Sequence, residues 1–330
     1  MDTAHEETKL MHSDKIIALP FAFDKKKKTG VNVNTGNPQE IYFQNACVAS
    51  ISAKHNNPDC DVAFVTNILN NNIPAEYKNV LISNNIKVIT IPYDRFLFPD
   101  EYNWGLAFYK LCVLSHLVEM EYKYLCYMDC DVWVQHGFEP IWEECKENIM
   151  LYDINHGLQV RDYQNLDLAI SDFSDKTHHI THYGGEFFAA TRTRAATFCN
   201  ECMEIYKRMI SESFHTNNGD EFIISLAANN MRQSIKNAGA YVYRFWTDPQ
   251  FYLISTCYKY NPICVLHMPS EKSRGIIKLY DKYIIKGKMP DPEKVWKTCN
   301  LCRSGLAIKR KNIKKHIRSR IKKLLKRVYK

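Results

Sequence analysis

An apolar run broken by two aspartates constrains this chain more than any other stretch. Tyr124-Leu125-Cys126-Tyr127-Met128 runs into Asp129-Cys130-Asp131, and Val132-Trp133-Val134 resumes the apolar pattern. A run of this length bounded by charge reads as a buried strand of an α/β sheet. Strand alternation sends Asp129 and Asp131 to one face and Cys130 to the other. Two carboxylates on one face repel unless water reaches them, one takes a proton, or a divalent cation sits between them. A bare Asp-x-Asp is common and fits a solvated turn. One that ends a strongly apolar strand favours the cation.

The first 134 residues alternate strand and helix. Lys15 to Phe23 predicts a first buried strand ending at Asp24, and Lys25 to Gly36 a polar loop. Asn37-Pro38-Gln39-Glu40 carries a helix start, with Asn37 as cap, Pro38 in the first turn and Glu40 completing a capping box. That helix runs to about Lys54. A strand over Asp61–Thr66, a helix over Pro74–Ile82, a strand over Lys87–Ile91 and a helix over Gly105–Met120 follow. Such alternation predicts an α/β, doubly wound, mainly parallel, Rossmann-like sheet. Ligands bind such sheets at the carboxyl ends of strands, where Asp24, Asp129 and Asp131 fall.

The second half is less regular. Gly184-Gly185 reads as a glycine turn entering a buried strand through Ala190. A helix spans about Arg194 to Ser211, and Asp220-Glu221 opens an apolar helix through Asn229. Acids in a first helical turn meet the helix dipole favourably, so capping alone explains them. Ala240–Trp246 and Ile263–His267 predict short strands. A lone histidine at a strand end is most simply a buried residue with a backbone hydrogen bond.

At 330 residues the chain has room for one large domain or two small ones. Its twelve cysteines, several inside apolar runs, fit reduced thiols. Cys199/Cys202 and Cys299/Cys302 could form a zinc site, but the first pair sits in a helical run without a turn, and ordinary thiols are the better reading. Met1 to Asp14 is polar, without an apolar signal segment, and is expected to be disordered; the expected compartment is the cytoplasm. Twelve of the 44 basic residues lie between Lys309 and Lys330, which leaves 32 basic against 36 acidic in the rest. In that tail Ile313, Ile317, Ile321, Leu324, Leu325 and Val328 recur at helical spacing. A basic helix with an apolar stripe reads as an anchor on anionic lipid, so the protein is expected to be peripherally membrane-associated through 309–330.

The order of these elements resembles retaining glycosyltransferases of the GT-A fold, most of all family 8, the glycogenin and lipopolysaccharide-galactosyltransferase group. The landmarks are Tyr42 to Ser52, Asp61 to Thr66, Phe108-Tyr109-Lys110-Leu111, Tyr127 to Val132, Pro140-Ile141-Trp142, Gly184-Gly185, Asp220-Glu221 and His267. Tyr183 to Phe188 is also similar to the blood-group type of family 6. The resemblance covers roughly residues 15 to 275. It implies a nucleotide-sugar donor, a glycan or glycolipid acceptor of the kind used in lipopolysaccharide, capsule or protein-linked glycan assembly, and Mn²⁺ or Mg²⁺ held by Asp129, Asp131 and His267. It further implies donor contacts from Phe21, Asp24, Lys110, Asp129, Gly184, Gly185 and Lys272, with Arg274 the alternative to Lys272. Glu221 would face the anomeric carbon and Asp220 would orient a donor hydroxyl. Residues 15–134 would bind the donor, 135–300 would complete the same domain with the acceptor and catalytic half, and 305–330 would form the tail. Trp246 and Tyr252 could stack on an acceptor sugar, although large aromatics are more often core. The rivals are a sugar-phosphate nucleotidyltransferase, whose glycine-rich phosphate loop Lys25 to Gly36 fits poorly, and a protein binding nucleic acid through its basic tail.

Overall fold

The computed structural model describes residues 13–24, 36–100, 102, 104–154, 160–174, 180–245, 263–301, 317–318 and 321. Its elements are β1 (Lys15–Phe21), α1 (Pro38–Asn56), β2 (Asp61–Thr66), α2 (Ala75–Ser83), β3 (Lys87–Thr90), α3 (Tyr109–Leu117), β4 (Tyr124–Met128) and β5 (Val132–Val134). There follow α4 (Glu139–Cys145), β6 (Ile149–Asp153), α5 (Val160–Ser174), β7 (Tyr183–Thr191), α6 (Arg192–Ser211), α7 (Asp220–Asn230), β8 (Ile235–Asn237), β9 (Val242–Arg244) and β10 (Val265–His267). Two helices close the described chain, α8 (Gly275–Lys282) and α9 (Pro292–Thr298).

Seven strands form one sheet in the order β3-β2-β1-β4-β7-β6-β8. Strands β3, β2, β1 and β4 are mutually parallel, and β7 is antiparallel to both β4 and β6. The expected doubly wound, mainly parallel sheet is therefore present. Its central strands are buried on both faces, which is why they read as continuous apolar runs. Along β1, Ile17, Leu19 and Phe21 pack with Phe43 and Cys47 of α1, while Ile16 and Ala18 pack with Leu111 and Leu114 of α3. Strand β4 alternates likewise, Cys126 and Met128 on the α1 side and Leu125 and Tyr127 on the α3 side.

Local chemistry explains several boundaries. Asn37 Oδ1 accepts from the Gln39 N–H at 3.1 Å, and Pro38 occupies the first turn of α1. The expected helix from Gly105 starts only at Tyr109, because residues 104–109 close three-residue turns instead, with the Ala107 N–H on Trp104 O and the Tyr109 N–H on Leu106 O.

Two expectations need correction. Tyr124 to Val134 is not one strand. It stops at Met128, bends through Asp129-Cys130-Asp131 and continues as β5 in a second sheet of order β5-β10-β9. The reason is pairing: β4 bonds to β1 and β7, whereas β5 bonds antiparallel to β10, over 130 residues later in the chain. Nor are Gly184 and Gly185 a turn, since both lie inside β7. Among the described residues no helix is long and apolar enough to cross a membrane. Trp246, Tyr252, Cys302, the Lys25-to-Gly36 loop up to residue 35, residues 1–12 and nearly all of 305–330 lie outside the described residues.

Candidate functional site

The bend between the two sheets falls at the carboxyl end of β4, beside the crevice where the strand order turns from β1 to β4. Backbone bonds pin it from both sides: the Asp129 N–H donates to Glu186 O at 3.0 Å and the Met268 N–H to Asp131 O at 2.9 Å. Strand β10 then sets His267 directly opposite Val132, the residue after Asp131. Strand β9 sets Arg244 beside His267. Because β7 runs antiparallel to β4, its first residues, Gly184, Gly185 and Glu186, lie at the carboxyl end of β4.

Asp129, Asp131 and His267 converge so that one ligand atom from each lies within 4.8 Å of the others. His267 Nε2 is 3.3 Å from Asp131 Oδ2 and 3.7 Å from Asp129 Oδ2. The Asp131 side chain is only 1% exposed, and its Oδ2 has no well-aligned hydrogen-bond donor, only His267 Nε2 and Lys272 Nζ at 3.3 Å. A buried carboxylate oxygen left so is suited to a cation. Two carboxylates and an imidazole are an acceptable donor set for Mn²⁺ or Mg²⁺, with other positions open to water or phosphate oxygens.

Two lysines flank the group. Lys110 Nζ, from the start of α3, lies 3.1 Å from Asp129 Oδ1 and 3.0 Å from Asp220 Oδ2. Lys272 Nζ lies 3.3 Å from Asp131 Oδ2 and over the ring of Tyr42, which stacks on Phe21 at 4.9 Å. Burial alone would lower both lysines, but the facing carboxylates outweigh it and hold each well above the usual lysine range. Arg274 turns to Ser270 O and is half exposed, so Lys272 rather than Arg274 joins the group. Asp24 lies half-buried beyond the end of β1, on the same carboxyl edge of the sheet.

Glu186 and Arg244 were not singled out in the sequence. Glu186 Oε1 lies 3.3 Å from His267 Nδ1, the ring nitrogen facing away from the aspartates. A carboxylate behind a ligating histidine fixes its tautomer and raises its basicity. Arg244 grips the same carboxylate through Nε and Nη2, each at 2.6 Å, and its Nη2 reaches Glu221 Oε1 at 3.1 Å. The signal was a charge inside an apolar strand: Glu186 before Phe187-Phe188, and Arg244 between Tyr243 and Phe245. Burial would raise the Glu186 carboxyl, but Arg244 and His267 outweigh it and hold it well below the usual range. His267 shows the converse: burial lowers it, Asp131 and Glu186 raise it, and the net is about 9.

Asp220 and Glu221 head α7 after Gly219, whose φ of +59° is in the left-handed region that favours glycine. Burial raises the Asp220 carboxyl, partly offset by Lys110. Glu221 keeps 29% of its side chain open, but the protein around the remainder pushes it up to about 7 by loss of hydration, with Glu186 and Asp220 adding to the rise and Arg244 opposing it. The glycines make room for these acids. A Cβ on Gly185 would stand 1.9 Å from Asp220 Oδ2, and one on Gly184 would stand 1.7 Å from Glu186 Oε2.

No protein-family model and no curated protein sequence matches the chain. Solved structures do. The galactosyltransferase LgtC, in complex with donor and acceptor sugar analogs, aligns over 86% of this chain and 99% of its own, at 12% identity and a TM-score of 0.55. An active-site mutant of LgtC aligns with the same figures. The apo form of mouse xyloside xylosyltransferase 1 aligns over 77% of this chain and 96% of its own, at 11% identity and a TM-score of 0.49. The likeness to LgtC is one of fold, the GT-A fold implied by the order of motifs.

Proposed function

We propose that the protein is a metal-dependent glycosyltransferase that moves a sugar from a nucleotide-sugar donor to a glycan or glycolipid acceptor, with retention of configuration. The observation that carries this reading is the meeting of Asp129, Asp131 and His267 at the carboxyl edge of a GT-A sheet, with Lys110 and Lys272 on either side. Mn²⁺ or Mg²⁺ held by those three residues would neutralise the diphosphate as it leaves. Lys272 adds fixed positive charge at the departing phosphates, and Lys110 does so from the Asp129 side. Phe21 and Tyr42 form a stacked aromatic wall beside Lys272, suited to a nucleotide base.

The open part of Glu221 can face a sugar held against Gly184 and Gly185. A carboxylate there stabilises oxocarbenium character at the anomeric carbon. Asp220, held by Lys110, is placed to accept from a donor hydroxyl. Arg244 ties Glu221 to Glu186 and thereby to His267, so one chain of ion pairs positions both the leaving-group end and the sugar end.

Residues 15–134 carry the donor side and 135–300 the remainder of the same domain. The tail from about residue 305 would hold the enzyme on an anionic membrane surface. In support, Ile317 and Ile321 are helical, four residues apart, and about half exposed. The reading is tested by hydrolysis of a nucleotide-sugar panel with and without Mn²⁺. One or more donors should turn over only with metal. No turnover of any donor at high enzyme and Mn²⁺ would overturn it.

A further inference from the structure

The face of α3 opposite Lys110 carries a second meeting of ligand-type side chains. Cys112 and His116 are four residues apart on this helix and therefore share a face. Lys110 precedes Cys112 by two residues and points into the site described above. Asp94, from the segment after β3, meets the pair: its Oδ1 lies 3.6 Å from Cys112 Sγ and 2.8 Å from His116 Nε2. One ligand atom from each lies within 4.8 Å of the others.

The surroundings are those of a built site. Glu119 Oε2 stands 3.9 Å from His116 Nδ1, on the side away from Asp94. Arg95 holds Glu119 at 2.8 Å and donates to Ser115 O at 3.0 Å. His116 thus turns one ring nitrogen to Asp94, while the exposed Glu119 carboxylate lies near the other but beyond hydrogen-bond distance. The sulfur of Cys112 is buried, which pushes the thiol up to about 11, while the peptide N–H groups of Arg95 and Asp94 face it and favour its thiolate. The thiol proton, directed at Pro92 O at 3.4 Å, is the one a metal would displace to solvent.

The geometry points to a divalent metal site of the zinc type formed by Cys112, His116 and Asp94. Thiolate, imidazole and carboxylate together suit Zn²⁺, unlike the oxygen-rich Asp129 group. Bonds of about 2.0–2.3 Å set ligand atoms roughly 3.3–3.8 Å apart around a tetrahedral centre. The Cys112–Asp94 spacing already falls there. The His116–Asp94 spacing is shorter, and the Asp94 side chain, 48% exposed, has room to swing outward. Water would take the fourth position. Metal here would add to the contacts that fasten α3 to the segment after β3, among them Tyr109 Oη on Ile91 O at 2.8 Å and Arg95 Nη1 on Ser115 O at 3.0 Å.

The test uses the full-length protein stripped of metal and titrated with Co²⁺, then with Zn²⁺. Co²⁺ should give thiolate-to-cobalt absorbance in the near ultraviolet, and Zn²⁺ should displace it. Cys112→Ser should abolish the band. Asp129→Asn should leave the band intact. The variants Asp94→Ala and His116→Ala, each expected to lose at least about tenfold, keep the proposal testable if Cys112→Ser does not fold. Absence of the band in the unsubstituted protein, or its survival in Cys112→Ser or in both of these variants, would overturn the assignment.

Discussion

Arg244 closes a two-pronged ion pair on Glu186, Nε to Oε1 and Nη2 to Oε2, each at 2.6 Å. Both side chains are largely out of solvent, and removing one partner of such a pair is costly because the other stays charged and buried. Glu186 in turn backs His267, so this pair sets how the candidate metal ligands are presented. Glu186→Gln should weaken Mn²⁺ binding by roughly 10- to 100-fold. A Mn²⁺ titration of donor hydrolysis would show it as a shifted midpoint, with activity recovering at saturating metal. An unmoved midpoint would return Glu186 to a purely structural role.

Asp129 and Asp131 should differ in stability while agreeing in activity. Each Asn variant should lose Mn²⁺-dependent turnover. Asp131, 1% exposed and facing both Lys272 and His267, should also lose about 3 kcal/mol of folding stability, because Lys272 then stays buried without its facing carboxylate. Asp129, 24% exposed and sharing Lys110 with Asp220, should lose far less. Urea unfolding without metal separates the two. Equal midpoints would contradict the buried pairing.

Glu221→Gln should lower kcat much more than it raises KM for the donor. Its carboxyl is raised from 4.5 to about 7, so between these values the folded state binds more protons than the unfolded one. Stability from this group is therefore full below about pH 4.5 and declines as pH rises through 7. Turnover that needs the carboxylate should rise over the same range. In Glu221→Gln both trends should flatten relative to the unsubstituted protein. Parallel pH profiles in the two proteins would show that Glu221 does not titrate there. NMR of the sugar product tests retention, and an inverted product would contradict it.

Gly185→Ala should spare the fold and harm the reaction. The new Cβ meets the end of the Asp220 side chain and Lys110 Nζ, which can move at little cost to the core. Moving them breaks the Lys110–Asp220 pair at the site. The expectation is a small change in Tm and a loss of turnover on the order of 100-fold, the size of effect that follows from misplacing reacting groups by about 1 Å. A fully active variant would remove the need for the close approach.

For the tail, a protein ending near Ser304 should lose binding to anionic vesicles and keep donor hydrolysis. Each basic residue near an anionic surface contributes roughly 1 kcal/mol, screened by salt. Ile317→Asp with Ile321→Asp should weaken binding even at low salt, because the apolar stripe inserts. Tight binding of the full-length protein to DNA or RNA, with indifference to vesicles, would overturn the membrane reading.

Composition and local pattern determined much of this protein. Strands β1, β2 and β4 were legible because burial on both faces leaves continuous apolar runs, and α1 because Asn37 and Pro38 mark its start through contacts within one turn. The acids of the site were legible as types, since Asp129 and Asp131 interrupt an apolar run where no core residue should be charged. The tertiary structure alone decided that the run breaks between two sheets, because the partner of β5 is β10, and the choice between distant strands is not encoded within either one. It also decided the roles of Glu186 and Arg244. Each, read in its own strand, is an unfavourable buried charge. Only when β7, β9 and β10 come together does each find the opposite charge that makes its burial tolerable, and with it a place behind His267.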